Sequence, residues 1–173
     1  MSRAWTVPDI EPDASLAVNA RRILAVRIGE MWSYAPIMPE ADRTEALHDA
    51  RIAAKRLRYT LELFRPVFGE AGEAATDAIK ALQEDLGTLH DTDVRIALLE
   101  DAIAALPAPD HDGGSIAADT PSGDPATGLT AMLKREAAGR AKRHAAVTKR
   151  WDRLNRDGLR SDLVALSAMP LDD

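Results

Sequence analysis

No cysteine occurs in the 173 residues, which excludes disulfides, zinc–thiolate sites and thiol nucleophiles. Aromatic residues are only 4% of the chain, so Leu, Ala, Ile and Val must fill the core, and little ring surface is left for stacking. No run of about 18 apolar residues occurs, so no membrane-spanning helix is expected. No segment alternates with period two and β-branched residues are scattered, so strands are not expected either. The start, MSRAWTVPDIEPD, lacks the apolar core of a secretory signal, and a cytoplasmic protein is the default. What is there is 46% hydrophobic residues, enough for a real core, with Ala and Leu recurring near period 3.6. One all-α domain follows.

The formal net charge is −6, but its distribution matters more than its sum. Residues 43–65 hold six basic and three acidic residues, and residues 129–160 hold ten basic and three acidic. Residues 69–101 hold two basic and nine acidic. Base is thus concentrated on two segments and acid on a third.

Along the chain, residues 1–13 read as a flexible lead-in, and 14–173 as a single domain. Asp13 or Ser15 can cap a first helix over about 15–34, in which Arg27 intrudes on the apolar face. Two prolines in Tyr34–Pro39 break the chain, and a second helix over about 41–66 ends at Pro66 and Gly69. A third begins near Glu70 with a seam at Ile79, Leu82, Leu86, Leu89, Asp93 and Ile96. Gly87 and the His90-Asp91-Thr92-Asp93 run interrupt that seam. Either the helix stops there or it continues with Asp93 facing inward. Continuation is the favoured reading, and it requires a cationic partner for that carboxylate. Residues 107–127, rich in Pro, Gly and Asp, read as a flexible loop. His111 lies within it and is read as an incidental loop histidine. A basic helix over about 128–157 ends at Gly158, and a short amphipathic helix carries Leu159, Leu163 and Leu166. The expected architecture is an antiparallel four-helix bundle with a short extra C-terminal helix.

Two cationic rows stand out. In the second helix Ala50, Ala54, Leu57, Leu61 and Phe64 form a core stripe. His48, Arg51, Lys55 and Arg58 form a second stripe about 120° away at about 100° per residue. In the fourth helix Arg135, Lys142, Lys149 and Arg153 share a line flanked by Arg143 and Arg150. That line spans roughly 27 Å at about 1.5 Å per residue, too long for one phosphate and suited to a linear polyanion. The rows are expected to converge on a shared trough. The acidic third helix is the structural alternative as their partner. Nucleic acid fits less well, since only Tyr59 and Trp151 lie near the rows and no helix-turn-helix or zinc-finger spacing appears. His144 reads as a satisfied core histidine and His90 as a half-buried one bonded to a carboxylate. Asp91 and Asp93 are expected to pair with arginines across the bundle. No cofactor or metal is expected.

These residues resemble the CHAD domains, the conserved-histidine α-helical family. Its first pattern, H-x-x-R-V-x-x-[RK]-R-[LM]-R, is similar to His48, Arg51, Ile52, Lys55, Arg56, Leu57 and Arg58. Its second, L-G-x-x-R-D-x-D-V, is similar to Leu86, Gly87, His90, Asp91, Asp93 and Val94, with His90 in place of the Arg. The resemblance implies a helical module that binds inorganic polyphosphate without catalysis and associates with polyphosphate granules. It assigns polyphosphate contact to His48, Arg51, Lys55, Arg56 and Arg58. CHAD domains commonly hold two four-helix halves. This sequence has one, so two copies are expected to associate. No E-x-E-x-K run of a CYTH triphosphate-tunnel domain occurs. The competing readings are an HD-type metal-dependent phosphohydrolase, in which His48, His90, Asp91 and Asp152 would imitate the ligand order, and a helical module that docks an acidic protein.

Overall fold

The computed structural model describes residues 3–107 and 125–168, and all regular structure in them is helical. Five helices follow in order: α1 Leu16–Trp32, α2 Thr44–Leu63, α3 Arg65–Ala104, α4 Pro125–Arg156 and α5 Leu159–Ala168. Ser15 caps α1 by accepting a hydrogen bond from the Val18 amide at 3.3 Å. Between α2 and α3 the chain turns at Phe64, and at Gly69 the backbone adopts φ 55° and ψ −150°. A side chain is disfavoured at that φ, so Gly69 marks the kink after which α3 runs on. Gly158, at φ 84°, separates α4 from α5 in the same way. Most of the loop expected at 107–127, with His111, lies outside the described residues.

α2 packs against α1 and α3, α3 against α2 and α4, and α5 closes the gap between α1 and α4. Leu24, Met31, Leu57, Leu61, Ile79, Leu82, Leu86, Leu89 and Val147 are fully buried in the shared core. α3 continues through residues 90–93 without a break. The cost of its inward carboxylate is met as chemistry requires: Asp93 pairs with Arg140 of α4. Arg140 also donates to the Ala41 carbonyl at 2.7 Å and to Thr44 Oγ1 at 3.0 Å, so one guanidinium ties α4 to α3 and to the start of α2. The Asp93–Arg140, Asp85–Arg150 and Glu136–Arg95 pairs fix an antiparallel α3/α4 register.

The connection over 33–43 runs along α4. The Met38 carbonyl faces His144 Nε2 at 3.1 Å and accepts from Thr148 Oγ1 at 3.2 Å, so His144 is a satisfied core histidine, 8% exposed. Trp32 stacks against Trp151 and donates to Asn155 Oδ1 at 2.9 Å. The lead-in over 3–14 lies beside α1, with Arg27 donating to the Trp5 carbonyl at 3.0 Å and Arg22 to Glu11 at 2.8 Å.

Candidate functional site

The basic stripe of α2 sits on the flank that meets α3. Leu47, Ala50, Ala54, Leu57 and Leu61 turn into the core, leaving His48, Arg51, Lys55 and Arg58 along the outer seam between the two helices, each half-buried. His48 packs its ring on His90 of α3, with centroids 4.2 Å apart and planes tilted by 39°. One turn on, Arg51 Nε lies over Gly87, where an added Cβ would come within 3.5 Å of it. The two sequence patterns therefore face each other across one groove. Lys55 and Arg58 both stand over the Tyr59 ring, at 5.6 and 4.7 Å from its centroid, which holds them side by side. The antiparallel register set by His48–His90 and by Arg65–Glu73 places Gln83 level with Lys55.

Polar groups along this groove lack partners. Among the described residues, His48 Nδ1, Arg51 Nε, Arg58 Nε and Gln83 Oε1 are buried and make no hydrogen bond. Arg58 Nε lies 3.5 Å from Glu62, close enough for a weak, partly buried ion pair but outside hydrogen-bonding geometry. Among the described residues, Arg51 and Lys55 form no ion pair. Burial and the neighbouring His90 lower the pKa of His48 below the usual 6.5; Arg51 lowers it further, and Asp49 opposes the shift. The site therefore disfavours a proton on His48.

A family model for the CHAD domain matches residues 3–100, more than half of the chain. The chain belongs to the CHAD family. No curated protein matches significantly, and neither does any solved structure. The matched part of this CHAD domain contains α1, α2 and nearly all of α3, and so both sides of the groove, while α4 lies beyond it.

Not every expected contact residue lies in the groove. Arg56 points to the other side of α2, where it binds Glu30 at 2.5 Å. Arg27 binds the other oxygen of the same carboxylate at 2.6 Å, and Glu30 is 1% exposed. Arg56 is thus the partner of a buried acid, on the side of α2 away from the other four residues. Asp91, expected in an ion pair, is exposed and has none among the described residues. His90 rests on His48, and among the described residues it bonds to no carboxylate.

The expected convergence of the two basic rows fails within one chain. The α2 and α4 backbones do not pack on each other, because α3 lies between them. Arg135, Lys142, Lys149 and Arg153 are exposed on the outer side of α4. Arg150 is held by Asp85, and the Arg143 guanidinium folds back over Gly139. A helical wheel tells which residues share a face, but not where that face points in the bundle.

The HD-type arrangement is not assembled. His48 and His90 touch, but Asp152 is exposed on α4, two residues past Arg150 and hence about level with Gln83. That is more than a turn of α3 away from His90. Among the described residues no three His, Asp or Glu side chains come together in a way that would hold a metal.

Sequence reasoning missed the stacking of His48 on His90, the room that Gly87 leaves for Arg51, and Gln83. Only the first two carried a signal, in the paired patterns themselves.

Proposed function

We propose that this CHAD domain is a non-catalytic binding module for inorganic polyphosphate, which lies in the groove between α2 and α3. The observation that supports it is the row of His48, Arg51, Lys55 and Arg58. Among the described residues, buried nitrogens of three of them make no hydrogen bond. A buried donor left unpaired costs free energy, and a chain of phosphate oxygens recovers it. The row is roughly 15 Å long at about 1.5 Å per residue, longer than one phosphate. Arginine forks match phosphate oxygens in pairs, while Lys55 adds a mobile point charge. Among the described residues, Tyr59 and the His48–His90 pair are the only rings along this row, so bases have little to stack on.

The test is retention of labelled polyphosphate on a filter, beside single-stranded DNA and heparin. The Arg51→Glu, Arg58→Glu double variant is expected to lose polyphosphate retention while its far-ultraviolet circular dichroism stays unchanged. Retention equal to that of the parent protein would remove the groove from the site.

A further inference from the structure

The outer faces of α3 and α4 are divided by charge in a regular way. On α3, Asp77, Glu84 and Asp91 recur at every seventh residue, and on α4 Lys142, Lys149 and Arg156 do the same. Seven residues are nearly two turns, so each set forms one line along its helix. All six side chains are exposed, and none enters an ion pair among the described residues. The Asp93–Arg140 pair sets the register. It places Asp91 about level with Lys142, Glu84 with Lys149, and Asp77 with Arg156. An acidic row and a basic row of equal length and equal repeat thus run side by side. Between them lie Ala81 and Thr88 on α3 and Gly139 and Ala146 on α4, with the Arg143 guanidinium over Gly139 and the Asp85–Arg150 and Arg95–Glu136 pairs bridging the seam. At the end of the same face Leu98 is 62% exposed and Met132 is 44% exposed.

We infer that this face is a self-complementary docking surface for a second copy of the chain. A two-fold axis parallel to the helices sets α3 of each copy against α4 of the other at the same level. Asp91 then meets Lys142 of the second copy, and Glu84 meets its Lys149, each contact occurring twice by symmetry. A two-fold axis across the helices would set acid on acid, so the charge pattern selects the orientation. The contact also covers Leu98 and Met132. A linear polyanion is the other candidate for the α4 row. The neighbouring acids of α3 repel it, whereas for a second copy those same acids are half of the match. Exposed ion pairs are individually weak, so a dissociation constant on the order of micromolar is expected.

Sedimentation velocity of the full chain tests the inference. A dimer is expected at about 0.1 M salt and a monomer at about 1 M, where the screening length falls from about 10 Å to about 3 Å. Lys142→Glu with Lys149→Glu should raise the dissociation constant at least ~10-fold at low salt. Adding Glu84→Lys and Asp91→Lys to that variant exchanges the rows and should restore the dimer. A parent protein that stays monomeric at low salt would overturn the inference. So would a dimer indifferent to the double reversal, or an exchanged variant that keeps its helix content but does not re-associate. A monomeric parent whose Lys142→Glu, Lys149→Glu variant loses polyphosphate would give the row to the polyanion instead.

Discussion

A carboxylate with 1% of its surface exposed needs partners, and Glu30 has one for each oxygen, Arg27 and Arg56. Removing it leaves two guanidinium groups without a counter-charge, one of them in a mostly buried position. Glu30→Ala is therefore expected to cost about 3–5 kcal/mol, read from chemical denaturation. Arg56→Ala should follow it in stability while leaving polyphosphate retention largely intact, the reverse of Arg51→Glu. His48 carries the pH dependence. Its pKa in the folded chain lies below 6.5, the value it regains on unfolding. The unfolded chain therefore takes up the proton first. The stability that the neutral ring contributes is present above pH 6.5 and is lost as pH falls through the lowered pKa. A bound polyanion favours the imidazolium and raises that pKa, so retention should tighten as pH falls from 7 toward 5.5. Proton NMR of the His48 ring checks both: a midpoint at or above 6.5 in the free protein would contradict the burial of the ring.

Helices were the most legible part of the sequence. The seam from Ile79 to Ile96 keeps its three-and-four spacing through Gly87 and Asp93, and α3 keeps its helix there. The demand for a cation opposite Asp93 was legible too, but Arg140 was not, because the pairing depends on the α3/α4 register. The side of α2 that carries Arg51 and Lys55 could be read from period alone. That Arg56 serves Glu30 could not, since the two are 26 positions apart. The convergence of the α4 row with the α2 row was expected and does not occur, because packing order places α3 between them. Arg140 joins three segments. Arg140→Ala is expected to cost about 3 kcal/mol or more, since it leaves the mostly buried Asp93 unpaired. In hydrogen exchange the change should appear first at the start of α2, where the lost bonds to Ala41 and Thr44 were.

For the whole molecule, affinity for polyphosphate should fall with salt in proportion to the phosphates neutralised. Three to four cations in the groove predict a slope of about −2 to −3 in log affinity against log salt, at about 0.7 per phosphate of a flexible chain. A much steeper slope would bring the α4 row into the same site. The position of α4 has a further consequence. The match to the CHAD family ends at residue 100, yet Val147 and Trp151, 0% and 5% exposed, finish the interior that Trp32 and Met38 begin. The similarity boundary thus cuts through the hydrophobic centre, not between two independent units. Anyone who lifts residues 3–100 out as a portable polyphosphate tag removes one wall of the building. Such a fragment should melt without a cooperative transition, and cooperativity should return when the stretch carrying α4 and α5 is supplied as a separate peptide.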